Sequence, residues 1–209
     1  MAYPDLAGKR ILLTQADVFM GPVLEDALKR SGAELLTSTA TLVESKAAEQ
    51  LIEQSGSLDV VVINLGVPAP STAADKVDDA EWRLMFEHMV DPLQRLVRAV
   101  LPGMIERQRG KILLMGSASA LRGMKRASSY SAARGAQLAY VRAVGVEVAK
   151  HNIQVNAIAQ NFVDNPTYFP QAIQDNPAFQ ERLKREVPLG RLVSADEDAQ
   201  FAAYLCSDA

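Results

Sequence analysis

Four β-branched residues in a row, Val60-Val61-Val62-Ile63, constrain the fold more than any other feature of this sequence. An apolar run without alternation is typical of a parallel strand that is buried on both faces. Similar runs at residues 10–14, 33–37, 111–115 and 153–159 alternate with helical segments. Strands that alternate with helices in this way predict an α/β fold: a Rossmann-like doubly wound parallel sheet with helices on both faces, in three α/β/α layers.

Two long helices and one irregular segment complete the predicted organisation. Residues 79–107 predict a single amphipathic helix that is kinked at Asp91-Pro92, and residues 130–150 predict a second helix rich in small residues. Residues 160–187, which contain three prolines, predict an irregular stretch. Because we find no repeat or linker, we expect residues 1–209 to form a single Rossmann-like domain. A last strand is expected after the terminal helix at residues 195–207, and it is missing from the given chain.

Composition excludes several classes of function. The formal net charge of −3 leaves no electrostatic basis for binding nucleic acid or an anionic membrane. No apolar stretch reaches the roughly 20 residues of a membrane span, and residues 1–13 lack the apolar core of a signal peptide. Two histidines and one cysteine, Cys206, exclude a disulfide framework and provide few ligands for a transition metal. We expect a cytoplasmic protein without a bound metal.

A hydroxyl, a phenol and a permanent cation are predicted to meet at one edge of the sheet. Ser117 follows the strand at residues 111–115, and ligands of open parallel sheets bind outside the carboxyl ends of the strands. Tyr130 begins the next long helix, and Arg134, four residues later, lies on the same face of that helix. A phenol is a poor base near neutrality, but a neighbouring positive charge favours its anion. Tyr130 is therefore predicted to act as a general base for an alcohol, with Ser117 bonded to the same oxygen.

The turn after the first strand departs from a nucleotide-binding motif. In a dinucleotide-binding unit this turn is rich in glycine, because the backbone must approach a pyrophosphate closely. Only Gly21 remains here, and Gln15 and Phe19 put side chains where the phosphates would lie. We interpret the turn as one that has lost its nucleotide, so that no cofactor is expected. Core packing is an alternative role for Phe19, and it is compatible with this interpretation.

The chain resembles the short-chain dehydrogenase/reductase superfamily over its whole length. A serine and a tyrosine separated by twelve residues match the catalytic pair of that superfamily, whereas its usual lysine is Arg134 here. The nucleotide-binding glycines of the superfamily are replaced in the first turn. Its Asn-Asn-Ala-Gly motif appears as Ile63-Asn64-Leu65-Gly66, and Gln160-Asn161 stands where it has Pro-Gly.

These departures together resemble one branch, the halohydrin dehalogenases, and in particular its B-type members. Two signatures of that branch, Thr-x4-Phe/Tyr-x-Gly and Ser-x12-Tyr-x3-Arg, match at every defined position: Thr14, Phe19 and Gly21, and then Ser117, Tyr130 and Arg134. The resemblance implies a redox-neutral reaction in which a vicinal haloalcohol closes to an epoxide and releases halide and a proton. It also implies the reverse opening of epoxides by halide, azide, cyanide or nitrite.

The resemblance assigns roles to particular residues. Ser117 and Tyr130 would bind the substrate oxygen, Tyr130 would remove its proton, and Arg134 would lower the pKa of the tyrosine. Backbone N–H groups of Phe162 and Val163 would hold the halide, in a site completed by Phe19, Gln160 and Asn161. The substrate pocket would be formed by Thr14, Asn64, Leu65, Ala118, Tyr168 and Phe169. The expected partners are a haloalcohol or epoxide and a small anion, with no nucleic acid, membrane or cofactor.

The resemblance further implies a homotetramer, in which the two long helices at residues 79–107 and 130–150 pack between subunits. Two other functions remain open. An NAD(P)-dependent oxidoreductase with a degenerate cofactor motif would bind dinucleotide despite Phe19 and Gln15. A non-catalytic, dehydrogenase-like sensor of a small ligand would give no turnover with any haloalcohol.

Overall fold

Five parallel strands form one sheet, and their carboxyl ends meet at the same edge. The structure is a computed structural model that describes residues 4–209. Neighbouring strands are parallel throughout, in the order β2-β1-β3-β4-β5. The strands are β1 (Arg10–Thr14), β2 (Glu34–Ser38), β3 (Val60–Ile63), β4 (Gly110–Ser117) and β5 (Ile153–Gln160). The predicted doubly wound α/β fold is confirmed.

Helices cover both faces of the sheet. They are α1 (Gly21–Arg30), α2 (Ala47–Ser55), α3 (Asp79–Met89), α4 (Asp91–Glu106), α5 (Ser119–Arg122), α6 (Ser128–Val148), α7 (Gln171–Gln174), α8 (Pro177–Glu186) and α9 (Ala195–Cys206). Successive strand side chains point to opposite faces, so that Val61 packs with α2, α4 and α6 whereas Val62 packs with α1 and α9. This alternation produces the three layers.

A crevice opens where the strand order reverses. The chain leaves β1 toward β2 on one side and leaves β3 toward β4 on the other, so the connections diverge between β1 and β3, which is where open α/β sheets bind ligands. Thr14 at the end of β1 and Asn64 after β3 are joined across this point. The Asn64 backbone N–H donates to Thr14 Oγ1 at 3.0 Å, and that hydroxyl donates to the Asn64 carbonyl at 3.2 Å. One strand pair further along, Ser117 of β4 lies beside Gln160 of β5.

Two proline-containing segments differ from their prediction. The helix predicted over residues 79–107 is two helices, α3 and α4, which are separated at Val90. Pro92 has no amide hydrogen and occupies the first turn of α4, where an intrahelical donor is not needed, so a new helix starts there. The segment at residues 160–187 contains α7 and α8. Pro177 again opens a helix, α8, and the Asn176 side chain caps it by accepting a hydrogen bond from the Ala178 backbone N–H.

Cys206 is completely buried at the end of α9. Burial raises the pKa of its thiol to about 12, so the sulfur stays protonated and is a poor nucleophile. Within residues 4–209 we find no group of three or more histidine, cysteine or acidic side chains arranged to hold a metal ion. The helices of this part of the chain include none that is long and apolar enough to cross a membrane.

Candidate active site

Ser117, Tyr130 and Arg134 lie together at the carboxyl edge of the sheet. Ser117 is the last residue of β4, and Tyr130 lies in the first turn of α6. One turn later, Arg134 donates a hydrogen bond from Nε to the Tyr130 hydroxyl oxygen at 3.1 Å. The Ser117 hydroxyl shares a hydrogen bond with Ser119 Oγ at 2.9 Å and accepts the Ser119 backbone N–H at 3.2 Å, and it is close enough to the same phenol to lower its pKa. A hydroxyl and a cation therefore converge on the phenol oxygen.

Arg134 carries a buried charge. Its side chain is 5% exposed, and its Nη1 donates to the Met115 carbonyl at 3.1 Å and to Gln137 Oε1 at 3.0 Å. Gln137 is anchored in turn, since its amide donates to the Met89 carbonyl at 2.7 Å. No carboxylate of residues 4–209 forms an ion pair with Arg134. Because an unpaired buried charge is unfavourable, the phenolate form of Tyr130 is the counter-charge that this guanidinium favours.

The ionisation of Tyr130 reflects two opposing effects. Burial by itself raises the pKa of Tyr130, since the anion loses solvation. The positive charge of Arg134 and hydrogen bonds from Tyr168, Arg134 and Ser117 lower it, and together they outweigh burial. The pKa of Tyr130 therefore lies below the ordinary value of a tyrosine. Its phenolate can therefore accept a proton from an alcohol at a pH closer to neutrality than the phenolate of a free tyrosine could.

The turn after β1 is tightly tied to the end of β3. The Asn64 side-chain amide donates to the carbonyls of Gln15 and Val18, at 2.8 and 3.0 Å. Gly21 starts α1 so close to this turn that a Cβ there would lie 2.4 Å from the Ala16 carbonyl oxygen. Only glycine fits this close approach, which explains why Gly21 is the glycine of the Thr-x4-Phe/Tyr-x-Gly signature.

Phe19 projects from this turn into the crevice. Its ring lies so close to Gly66 that a Cβ on Gly66 would be 2.8 Å from the Phe19 ring. On its other side the ring packs against Tyr168, with 5.7 Å between the centroids. Gln15 lies in the same turn, where its side-chain oxygen accepts the Gly66 backbone N–H at 3.2 Å. Side chains thus occupy the space that a glycine-rich turn would leave free for phosphates.

The segment after β5 offers free backbone donors. Phe162 has a positive φ of +47°, and its carbonyl accepts the Val193 N–H at 3.0 Å. Asp164 donates in turn to the Val193 carbonyl at 2.9 Å, which fixes Val163 between them. The backbone N–H groups of Phe162 and Val163 have no acceptor among residues 4–209. Consecutive backbone N–H groups beside a residue of positive φ are the kind of donors that the predicted anion site requires.

Positive charge surrounds this segment. The guanidinium groups of Arg182 and Arg122 lie over the Phe162 ring, at 5.3 and 6.0 Å from its centroid. Arg122 also donates to the Asn161 side-chain oxygen at 3.2 Å. Arg134 lines the cavity beside the same segment. Arg182 is ion-paired with Glu186 at 3.1 Å, so it is the positive charge of Arg122 and Arg134 that favours an anion over a neutral ligand near this segment.

A buried carboxyl lies behind the cavity wall. Gln160 lines the cavity, and its side-chain amide donates to Asp198 Oδ2 of α9. Asp198 is 8% exposed. Burial raises the pKa of this carboxyl to about 6, although the hydrogen bond from Gln160 opposes the rise. Gln160 is therefore fixed twice: its backbone belongs to β5, and its side-chain amide is bonded to α9.

Most of the predicted site residues surround one cavity of about 130 Å³. The predicted catalytic residues Ser117, Tyr130 and Arg134 line it, and so do the predicted halide and pocket residues Phe19, Asn64, Gln160, Asn161, Phe162, Val163, Tyr168 and Phe169. Three residues expected in the substrate pocket do not line it. Thr14 is fully buried in its contact with Asn64, Leu65 packs into the core with α4 and α6, and Ala118 lies at the start of α5.

Several residues of this site were not predicted from the sequence. The cavity is also lined by Met20, Met115, Gly116, Met124 and Asn165. Gln137 could have been found, because it lies three residues after Arg134 on the same helix, as a polar residue facing a buried group. Nothing in the local sequence around Asp198 points to Gln160, since 38 residues separate them.

Comparisons with known proteins give two kinds of likeness. A family model described as enoyl-(acyl carrier protein) reductase matches residues 8–209. The 3-oxoacyl-[acyl-carrier-protein] reductase FabG of Pseudomonas aeruginosa is 33% identical over 202 residues, which cover 89% of this chain and 80% of that protein. By sequence, then, the chain is similar to reductases.

The solved structures include dehalogenases. One described as "Dehalogenation enzyme" superposes with a TM-score of 0.87 and 29% identity, covering 100% of this chain and 93% of that one. Another, halohydrin dehalogenase HheC bound to ethyl (2S)-oxiran-2-ylacetate, has a TM-score of 0.87 and 25% identity, with 96% and 90% covered.

Proposed function

The chain belongs to the short-chain dehydrogenase/reductase superfamily, through the family described as enoyl-(acyl carrier protein) reductase, and from this premise we propose that it is a halohydrin dehalogenase. The observation that carries the proposal is the pairing of a buried arginine with Tyr130 in a crevice filled by Phe19. The likeness to two dehalogenase structures supports it. The proposed substrates are vicinal haloalcohols and, in the reverse direction, epoxides.

In the proposed reaction, Tyr130 and Ser117 act on the substrate hydroxyl. Ser117 donates a hydrogen bond to the substrate oxygen, and the Tyr130 phenolate takes its proton. The electron pair released on oxygen attacks the adjacent carbon, an epoxide C–O bond forms, and the carbon–halogen bond breaks with its electrons leaving on the halide. The ring closes within one molecule, so the protein contributes orientation and proton transfer. Tyr130 then passes the proton to solvent.

The leaving halide needs a site on the far side of the reacting carbon. The free backbone N–H groups of Phe162 and Val163 suit a monovalent anion, and the aromatic wall of Phe19 and Phe169 keeps competing water out. A cavity of about 130 Å³ is close to the size of a protein cavity of about 150 Å³ that holds benzene. Short haloalcohols with few carbons are therefore the preferred substrates.

A nicotinamide dinucleotide, which the superfamily implies, does not fit these residues. The Phe19 ring and the Gln15 side chain fill the crevice at the switch point, and the Phe19 ring lies against Gly66. A pyrophosphate needs this space and a close approach of the backbone. We therefore derive no step through a dinucleotide.

Halide release from 1,3-dichloro-2-propanol tests the proposal. The wild-type protein should release chloride and protons without added cofactor, and Tyr130→Phe should lower the rate by about 10²-fold or more, because the general base is lost. Tyr204→Phe is the matched control, since Tyr204 lies on α9 with 47% of its surface exposed. Equal rates for wild type and Tyr130→Phe, or no release from any haloalcohol, would refute a catalytic dehalogenase.

A second candidate is an oxidoreductase, which the 33% identity to a FabG reductase favours. Titration with NADH and NADPH, followed by fluorescence, discriminates between the two functions. Micromolar binding of either dinucleotide would favour the reductase, whereas turnover of haloalcohols in the absence of dinucleotide would favour the dehalogenase.

A further inference from the structure

Tyr168 reaches the catalytic phenol from a loop far away in the sequence. Its backbone N–H donates to Asn165 Oδ1 at 2.9 Å, and the Asn165 amide donates to the Val163 carbonyl at 2.9 Å. The Tyr168 ring then packs against Phe19. The loop and the first turn thus hold the phenol ring from two sides, so its hydroxyl has a defined position.

The hydroxyl of Tyr168 lies between two oxygens. Tyr130 Oη is at 3.3 Å, and the Val67 carbonyl oxygen is at 3.1 Å. A hydroxyl has one proton and can donate to only one of them at a time. Both distances are long for an O–H···O hydrogen bond, and the Val67 carbonyl is the nearer acceptor while Tyr130 is neutral. A phenolate oxygen is a much stronger acceptor than a neutral phenol or a carbonyl.

We propose that Tyr168 is a catalytic residue that donates its hydrogen bond to the Tyr130 oxygen while Tyr130 is a phenolate, and to the Val67 carbonyl once Tyr130 has taken the substrate proton. This inference rests on the proposed function. The Tyr168 proton never leaves its oxygen, and only the direction of its hydrogen bond changes. The reactive base is stabilised before proton transfer, and the newly neutral Tyr130 is freed to donate back to the reacting oxygen.

The charges around the pair are consistent with a permanent donor. Arg134 on α6 is the cation beside both phenols, and His88 of α3 lies beyond Phe19, in a neighbouring cavity that Thr167 also lines. Burial and the neighbouring Tyr130 raise the pKa of Tyr168 far above its ordinary value, although Arg134 opposes the rise. Of the two phenols, Tyr130 is therefore the one that ionises and Tyr168 the one that keeps its proton.

Tyr168→Phe removes the donor and keeps the ring that packs on Phe19. A hydrogen bond to a charged group is strong enough that its loss should lower kcat/KM for haloalcohol closure about tenfold at neutral pH. The acid limb of the pH–rate profile should move to higher pH, and the alkaline plateau should stay within about twofold of wild type, because the phenolate forms there regardless. Tyr204→Phe should leave both limb and plateau unchanged.

Ultraviolet titration of tyrosinate separates this inference from the dehalogenase proposal. The difference between wild type and Tyr130→Phe isolates the ionisation of Tyr130 without any substrate. Tyr168→Phe should move that transition to higher pH. An unmoved transition, or an equal loss of rate at every pH, would overturn the role of Tyr168. If Tyr168→Phe shifts the Tyr130 titration but the wild-type protein turns over no haloalcohol, the dehalogenase proposal is refuted while the hydrogen bond between the two phenols is still supported.

Discussion

The Asp198→Asn variant measures how much the ionised Asp198 carboxyl, which lies behind the cavity wall, destabilises the folded protein. The asparagine is nearly the same shape, and its side-chain oxygen can still accept the hydrogen bond from Gln160. Unlike the carboxyl, it cannot ionise. Asp198 has its pKa raised from 3.8 to about 6 by burial, so the folded state disfavours its ionised form.

The sign of the effect follows from the two pKa values. Below about pH 3 the carboxyl is protonated in both the folded and the unfolded chain, and the wild type bears no penalty. Between pH 4 and 6 only the unfolded chain ionises, so the stability of the wild type falls as pH rises. Above pH 6 the penalty is complete. A rise of about two pH units corresponds to about 3 kcal/mol at 1.36 kcal/mol per unit.

Urea denaturation at several pH values provides the assay. Asp198→Asn should match the wild type near pH 3 and exceed its free energy of unfolding by about 3 kcal/mol at pH 8. Asp17→Asn, at an exposed position in the turn after β1, is the matched control. A difference that stays flat from pH 4 to 8, or an asparagine variant that is less stable at pH 8, would refute the account of a strained carboxylate at Asp198.

Two further predictions concern the catalytic pair and the first turn. Arg134→Met should lower kcat/KM for ring closure by about 10³-fold, because a cation about 4 Å from a phenolate contributes about 4 kcal/mol at an effective dielectric of 20. Arg134→Lys keeps the charge and should lose less, and equal rates for the two variants would contradict this. Gly66→Ala should destabilise the protein by about 1–3 kcal/mol, because the new Cβ meets the Phe19 ring at 2.8 Å. The destabilisation should be smaller in a Phe19→Leu background, which is tested by comparing the unfolding free energies of the wild type, the two single variants and the double variant. A destabilisation of the same size in both backgrounds would show that the contact with Phe19 is not its cause.

Local patterns in the sequence were sufficient to predict the sheet and to predict that Ser117, Tyr130 and Arg134 lie together. A run of β-branched residues predicts a buried strand, and helix periodicity places Tyr130 and Arg134 on one face. The rule that parallel strands end at one edge then brings Ser117 beside them. These predictions depend on the geometry of single elements, which is the same in any context.

Prolines and loops were predicted less well. Pro92 and Pro177 each open a helix, and the distinction between a kink, a loop and a new start depends on what the flanking residues pack against. Ala118 was expected in the substrate pocket and does not line the cavity, because β4 ends at Ser117 and Ala118 is the residue before α5.

The sequence by itself determined the succession of the five strands, and it indicated which residues could carry chemistry at the sheet edge. Only the tertiary structure decided what surrounds them. It brought Tyr168 to Tyr130, closed the Phe19 ring on Gly66 and put Asp198 behind Gln160. Helix and strand geometry is repeated at every residue, so the short-range pattern reveals it. The path of a loop is set by contacts between residues tens of positions apart, which no local period records.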